Sequence, residues 1–179
     1  TDGSSADSKS AAKAVGAQAI AVGYKSKAEG DNTIAQGNNA TAKGAQAISV
    51  GLDSKAEGAN TIAQGNNATA TGQNSIAQGI SSVAQQTADI AIGANAAANG
   101  TDTPAGSSTG QNAGTAISIG ANSVATGIAT TALGQAAHAT QNGAVAVGSL
   151  ANATNKAAAA LGRDSNASGE SSTALGSGA

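Results

Sequence analysis

Glycine recurs every fourteen residues along this chain, and this spacing restricts the possible folds more than any other feature. The recurring glycines form two runs: Gly23, Gly37, Gly51, Gly65, Gly79 and Gly93, then Gly120, Gly134, Gly148, Gly162 and Gly176. The step between the two runs is 27 residues, which is one unit of fourteen plus thirteen additional residues. A fixed period of this kind predicts stacked repeats that contact mainly their neighbours.

We number the positions of each unit from 0 to 13, with the recurring glycine at position 4, so that the first complete unit covers residues 19–32. Positions 1 and 3 are mostly aliphatic, and position 2 between them is always Ala or Ser. Positions 7 and 9 are small, whereas positions 8 and 10 carry polar residues such as Lys27 and Glu29. Both segments alternate with the period of a β-strand.

Turns are predicted between these strands, because glycine occupies position 4 and usually also position 11. Glycine supplies the positive φ angles that tight turns need. Each unit therefore predicts strand, turn, strand and turn, and about eleven stacked units predict an all-β parallel solenoid on the order of 50 Å long. Amphipathic helices are disfavoured, because each glycine costs about 1 kcal/mol in a helix interior.

The period also divides the chain. We predict a single domain with a partial unit over residues 1–18, repeats over 19–102 and 116–179, and a loop insertion over 103–115 that contains Pro104, the one proline. Loops carry function disproportionately, so the insertion is a candidate binding element. The alternative is a tolerated excursion that binds nothing.

Composition excludes several classes of protein. Tyr24 is the one aromatic residue and Phe, Trp, Met and Cys are absent, so a compact globule would lack the side chains that fill its core. Disorder is opposed by the regular spacing of the aliphatic residues. The net charge of −2 argues against a nucleic-acid partner. The absence of cysteine excludes a disulfide framework and zinc–thiolate sites.

No catalytic, cofactor-binding or metal-binding constellation can be assembled from the sequence. His138 is the one histidine, and it lies at the outward position 8. Glycine spacing here serves turns, so any similarity to phosphate-binding loops is accidental. We therefore expect no enzymatic activity and no cofactor.

Two rows of the first strand are apolar or small and point to opposite sides of it. One row faces the interior of the roll, and the other would remain exposed unless another surface covers it. The simplest cover is other copies of the same chain in a cyclic arrangement. The sequence leaves open which row faces the axis, although glutamine at position 3 in three units favours positions 1 and 3, where symmetry-related amides can bond one another. The candidate residues are Ile20, Val22, Ile34, Gln36, Ile48, Val50, Ile62, Gln64, Ile76, Gln78, Ile90, Ile92, Ile117, Ile119, Leu133, Val145, Val147, Leu161 and Leu175.

The repeat resembles a known family. The sequence Asn-Ser-Ile-Ala-Gln-Gly at 74–79, Ala-Ile-Ala-Val-Gly at 19–23 and Ala-Val-Ala-Val-Gly at 144–148 are similar to the head repeat of trimeric autotransporter adhesins of the YadA-like type. The resemblance implies a left-handed parallel β-roll with three chains around one axis, on the surface of a bacterium. It also implies binding to extracellular matrix proteins such as collagen, fibronectin or laminin, or to host cells, and in some members autoagglutination.

The chain departs from the family pattern at several positions. Gln occupies position 3 in three units, and Gln86, Gln141 and Asn155 replace the second glycine. In the family, a coiled-coil stalk and an outer-membrane β-barrel anchor follow the head. No heptad run is present and the chain ends within a repeat at Ala179, so we expect a head fragment of a protein anchored in the outer membrane.

Candidates for the adhesion surface are outward or turn residues near the N-terminus, together with the insertion. An outward charge column is usually only a solvated face, and that alternative remains open here. Two other functions also remain open: an ice-binding solenoid, whose threonine ranks are interrupted in this chain, and a purely structural spacer. The candidate residues are Tyr24, Lys25, Lys27, Glu29, Lys55, Glu57 and Pro104.

Overall fold

The computed structural model describes residues 11–100 and 115–179, and every regular element in these ranges is a β-strand. Within the described residues, twenty-two strands form two parallel sheets of eleven strands each, so the predicted all-β parallel solenoid is confirmed. Sheet 1 contains the even-numbered strands: β2 (Ile20–Val22), β4 (Ile34–Gln36), β6 (Ile48–Val50), β8 (Ile62–Gln64), β10 (Ile76–Gln78), β12 (Ile90–Ile92), β14 (Ala116–Ile119), β16 (Thr130–Leu133), β18 (Val145–Val147), β20 (Ala159–Leu161) and β22 (Thr173–Leu175). Sheet 2 contains the odd-numbered strands: β1 (Lys13–Ala14), β3 (Lys27–Ala28), β5 (Thr41–Ala42), β7 (Lys55–Ala56), β9 (Thr69–Ala70), β11 (Val83–Ala84), β13 (Ala97–Asn99), β15 (Val124–Thr126), β17 (His138–Ala139), β19 (Asn152–Ala153) and β21 (Asn166–Ala167).

The register follows the fourteen-residue period. In sheet 1, Ile20 pairs with Ile34, and Ile34 pairs with Ile48. Each position of a unit therefore lies next to the same position of the following unit. Between β12 and β14 the partners are 27 residues apart, as in the pair Ile90 and Ile117. Residues 101–114 lie outside the described part of the chain. The division into repeats and an insertion over 103–115 therefore stays a prediction, although the pairing on both sides keeps its register.

The interior of the roll is narrow and lined by small side chains. Positions 0, 2, 7 and 9 are buried in nearly all described units, and they are almost entirely Ala, Ser and Thr. Serine hydroxyls meet across the interior, with 2.8 Å between Ser49 Oγ and Ser54 Oγ. Other hydroxyls donate to the carbonyl three residues earlier, as Thr33 Oγ1 does to Gly30 O at 2.7 Å. Within the described ranges no buried side-chain N or O atom lacks a partner, which is the condition for keeping hydroxyls in such a core.

Glycine has different roles at the two turns. At position 4 the φ angles lie between 121° and 142°, so the predicted positive φ is confirmed there. The same prediction is wrong for most glycines at position 11, where Gly127 has a φ of 106° but Gly44 and its equivalents do not enter the positive region. A Cβ at Gly44 would lie 2.0 Å from the carbonyl oxygen of Gly58. Close stacking of successive backbones, rather than φ, selects glycine at this turn.

Left-handed backbone also occurs at positions 6 and 13, which the sequence analysis did not single out. Non-glycine residues at these two positions have φ angles between 51° and 61°. Asparagine is frequent among them, as at Asn32, Asn39 and Asn60, because its short amide tolerates this region better than most side chains. Each unit therefore changes direction twice, and the two sheets lie back to back.

Candidate adhesion surface

The roll has two outward faces, and the first is aliphatic. Side chains at positions 1 and 3 of sheet 1 point away from the interior, whereas position 2 points into it. We call the outward residues of positions 1 and 3 the aliphatic face. Ile20 and Val22 at its N-terminal end are 53% and 54% exposed, and Leu175 at its other end is 75% exposed. Of the two rows that the sequence left open, the structure places position 2 inside the roll and positions 1 and 3 on its surface.

Three glutamines interrupt the aliphatic face. Gln36, Gln64 and Gln78 occupy position 3 and are exposed in the single chain. The amide Nε2 of Gln78 donates to Oε1 of Gln64 at 3.1 Å, which links two adjacent units. Gln36 instead lies between Val22 and Val50 in the same row. No described residue at positions 1, 2 or 3 is charged.

The second outward face belongs to sheet 2. We call the outward residues of positions 8 and 10 the polar face. The predicted candidates Lys27, Glu29, Lys55 and Glu57 are exposed on it, and the structure brings them into two adjacent columns. Lys43, which sequence reasoning did not include, completes the position-10 column, and its Nζ lies 3.3 Å from Oε1 of Glu57. The alternation of Glu, Lys and Glu at position 10 of three successive units was the sequence signal that could have identified Lys43 as part of this column.

Charge on the polar face is confined to its N-terminal units. From Thr69 to Ser168 the described residues of this face include no Lys, Arg, Asp or Glu. His138 is exposed at position 8 of this part of the face, and its strand neighbours at the same position are Val124 and Asn152. The C-terminal part of the polar face is therefore neutral, rich in Thr and Asn, and chemically distinct from the N-terminal part.

The turn after sheet 1 carries a column of exposed large side chains. Tyr24 is 52% exposed, and the Nζ atom of Lys25 lies 5.1 Å from the centre of its ring, within cation–π range. Leu52 and Ile80 occupy the same turn position two and four units further on, with exposures of 44% and 60%. The structure thus places the predicted candidate Tyr24 at one end of an apolar column that alternates with polar residues.

Asp89 is the buried charged residue that the sequence analysis missed. It occupies position 0, which holds Ala, Ser or Thr in the other described units, and it is fully buried. Its Oδ1 accepts a hydrogen bond from the backbone N–H of Ala116 at 2.8 Å. Its Oδ2 accepts from the N–H groups of Gln86 and Gly100 at 2.9 and 3.1 Å. Gly100 and Ala116 flank the segment 101–115, so one carboxylate joins the two ends of that segment.

The remaining candidates do not form a site. Pro104 lies outside the described residues. A shallow groove between the turns of three successive units is lined by Ile128, Asn142 and Lys156. Lys156 is the one charged residue in its lining, so the groove has no cluster of charged groups that would bind a ligand. Within residues 11–100 and 115–179, no three His, Cys, Asp or Glu side chains cluster as metal ligands, and no helix has the length and apolarity to cross a membrane.

Two stacked parallel sheets, an interior of small residues and a fourteen-residue rung define a β-roll of repeated units. Nine matches to the YadA head domain repeat together cover residues 10–96, 109–151 and 153–179. The chain therefore belongs to the YadA head repeat family, which confirms the resemblance of its repeat, and membership indicates an adhesin-type function at a bacterial cell surface.

A solved structure supports the fold. The crystal structure of the collagen-binding domain of the Yersinia adhesin YadA superimposes with a TM-score of 0.51 and 24% sequence identity, covering 96% of this chain and 73% of that domain. At this identity the similarity concerns the fold. No curated protein sequence matches the chain.

Proposed function

We propose that this chain is the head of a homotrimeric bacterial adhesin, in which the aliphatic face is buried among three copies and the polar face binds extracellular matrix or host cell-surface proteins. The observation that carries the proposal is the chemical difference between the two outward faces. One face is uncharged and presents outward Ile, Val and Leu that are exposed at the two ends of the roll and mostly half-buried between them, and the other presents columns that are charged in its N-terminal units.

The aliphatic face supports self-association. Exposed apolar stripes of this length mark interaction surfaces, and eleven strands at about 4.8 Å give a stripe on the order of 50 Å long. Because the face has no charged residue at positions 1 to 3, identical copies meet on it without like-charge repulsion. A cyclic trimer leaves the polar faces and the turn columns outward. Anchoring of the full-length protein in the outer membrane belongs to the same proposal.

The polar face and the Tyr24 turn support ligand binding. Lys27 and Lys55 lie two units apart in one column, about 10 Å from each other by strand spacing. These exposed lysines, together with Tyr24 and Lys25 in the turn, provide charged and aromatic contacts of the kind that protein interfaces use. Collagen is the first ligand to test, because the structurally similar Yersinia domain is described as collagen-binding. Fibronectin, laminin and host cells follow, with autoagglutination as a separate assay.

The test measures mass and binding on the same preparations. Light scattering on a sizing column is expected to give three chains, and the trimer is expected to bind immobilised collagen, fibronectin or laminin. The double variant Lys27→Ala/Lys55→Ala should weaken binding about five- to tenfold, since rim charges are worth roughly 1 kcal/mol together. The control Thr41→Ala lies between them in the same column and should bind as the parent does.

A deletion of residues 103–115 separates the two candidate binding elements. It joins residue 102 to residue 116 and restores an uninterrupted unit of fourteen. We expect the deleted chain to remain trimeric and β-rich. Loss of binding in this variant alone would assign the ligand to the insertion, and loss in Lys27→Ala/Lys55→Ala alone would assign it to the polar face. A stable monomer, or a trimer that binds none of these ligands or host cells, would contradict the proposal.

A further inference from the structure

The glutamines of the aliphatic face bear on how far one chain is shifted along another when their aliphatic faces meet. Successive units of the roll are nearly identical, and position 3 is aliphatic in every described unit except those with Gln36, Gln64 and Gln78. Position 1 is Ile in every described unit from Ile20 to Ile117, and apolar contact is non-directional, so a slip of one unit, about 4.8 Å, changes little in the packing of this part of the row. Aliphatic contacts there fix the shift of one roll along another only weakly.

The spacing of the three glutamines does distinguish the shifts. Gln36 and Gln64 are two units apart, Gln64 and Gln78 are one unit apart, and the outer pair is three units apart. These three separations all differ. Two copies that slip by one, two or three units consequently bring one pair of glutamines together and leave the others against aliphatic residues, and larger slips match none. Only the unshifted alignment matches all three.

Mismatch has a physical cost. A primary amide has two donor hydrogens and an acceptor oxygen, and burying them against Val or Ile leaves them without partners. The bond between Gln78 and Gln64 uses one donor of the first and one lone pair of the second, so both retain further capacity. Gln36 is flanked in its row by Val22 and Val50, which offer its amide nothing. In aligned copies related by a symmetry axis, equivalent amides come together and bond one another.

We propose that Gln36, Gln64 and Gln78 form a register code, in which the unequal spacing of buried amides fixes the axial alignment of copies of this chain on the aliphatic face. The inference rests on the proposed trimer and adds what sets its alignment. It follows the same physics as a single buried polar residue that sets the register of a coiled coil. The partner is a second and third copy of this chain, since the pattern is complementary to itself and the face is uncharged.

The test exchanges one glutamine with its neighbour in the row. In Val50→Gln/Gln64→Val, the composition is unchanged and the glutamines stand at 36, 50 and 78, which reverses the order of the spacings. This variant matches itself fully, but no shift against the parent sequence matches all three. Parent chain labelled with ¹⁵N and unlabelled variant are unfolded, mixed in equal amounts, refolded together and analysed by native mass spectrometry.

Random mixing puts about three-quarters of the trimers in the two mixed species. We expect the variant alone to form trimers, and the mixed species to fall at least about fivefold below the random fraction, because each mixed trimer buries unmatched amides. The control Val50→Ile/Ile92→Val exchanges two aliphatic residues of the same row and should mix with the parent at random. Random mixing of Val50→Gln/Gln64→Val with the parent would overturn the register code while leaving the trimer intact. Failure of the parent to form trimers would instead overturn the proposed assembly.

Discussion

The two outward faces of the roll share one backbone and one interior, yet only one of them carries charged residues. On the aliphatic face, every unit presents uncharged residues at positions 1 and 3. On the polar face, the same strand geometry presents Lys27, Glu29, Lys43, Lys55 and Glu57 in the first units and mostly Thr and Asn afterwards, with Val83, Ala97 and Val124 among them. Both sheets have the same regular strand order, so backbone pairing does not account for the difference.

The comparison separates what holds the roll together from what the roll contacts. The interior of Ala, Ser and Thr is nearly the same in every unit and satisfies its own hydroxyl groups. The outer rows are free to vary, and their composition records what each face meets. An uncharged aliphatic row indicates a covered surface, and a charged one indicates an open surface.

The most disruptive change puts a charge on the aliphatic face. Ile62→Asp would bring three carboxylates together in the proposed trimer, and we expect the free energy of unfolding to fall by about 3–5 kcal/mol and the solution mass to fall toward one chain. Thr69→Asp is the matched control, since it lies in the same unit on the polar face. Light scattering and circular dichroism measure both. An Ile62→Asp chain with unchanged mass would show that the two faces are equally open.

The next change tests whether Asp89 keeps the units on the two sides of the segment 101–115 aligned, so that both faces run on without a break. Asp89→Ala removes the acceptor of three backbone N–H groups, at Gln86, Gly100 and Ala116. We expect a loss of about 2–4 kcal/mol in the free energy of unfolding, measured with denaturant, because buried donors would be left unpaired. Asp31→Ala is the control: its exposed carboxylate accepts from the backbone N–H of Ala17 at 2.8 Å, and its loss should cost below about 1 kcal/mol.

Equal losses in the two aspartate variants would mean that Asp89 does not join the ends of the segment. In that case the alignment of both faces on either side would depend on strand pairing alone, as between Ile90 and Ile117.

A third change addresses the turn that separates the faces. Gly44→Ala would place a Cβ 2.0 Å from Gly58 O, so the units must move apart, and we expect a loss of about 2–3 kcal/mol. Gly169→Ala occupies the same position of another unit, where the nearest atom would be Cβ of Ser172 at 3.4 Å. Its cost should be below about 0.5 kcal/mol. Comparable melting temperatures for the two variants would contradict close stacking as the reason for glycine at position 11.

Much of this fold could be predicted from the sequence, because the repeat displays each rule many times. Alternation such as Ile34, Ala35 and Gln36 identified the strands of sheet 1, and equal glycine spacing identified their parallel register. A single unit would have been ambiguous between a strand and a short helical segment. The direction in which each row points became clear only when the two sheets were placed back to back.

Other features depend on contacts between units and have no local signal. Glycine at position 11 looks like a turn residue, but the constraint comes from the carbonyl of the next unit. Asp89 has no local signal either, because its partners Gly100 and Ala116 lie 11 and 27 residues away from it in the sequence. The asparagines with left-handed backbone, such as Asn39, could have been recognised from the residue type alone.

The smallest expected effect concerns the best-defined ion pair on the polar face. Lys43 and Glu57 are separated by 3.3 Å, with side chains 51% and 39% exposed. An exposed pair of this kind contributes about 0–1 kcal/mol, so Lys43→Ala should change the free energy of unfolding by less than about 0.5 kcal/mol. Glu57→Gln, which keeps the shape of the side chain, should change it equally little.

The loss of stability in Lys43→Ala distinguishes a covered polar face from an open one. If Lys43→Ala cost more than about 2 kcal/mol in the trimer, the ion pair would have to be desolvated, because only a buried pair loses that much when one partner is removed. The polar face would then be covered in the assembled protein, as the aliphatic face is proposed to be, and the ligand would have to contact the turns instead. A negligible loss in stability together with weaker binding to matrix protein would place Lys43 on an open surface that serves recognition.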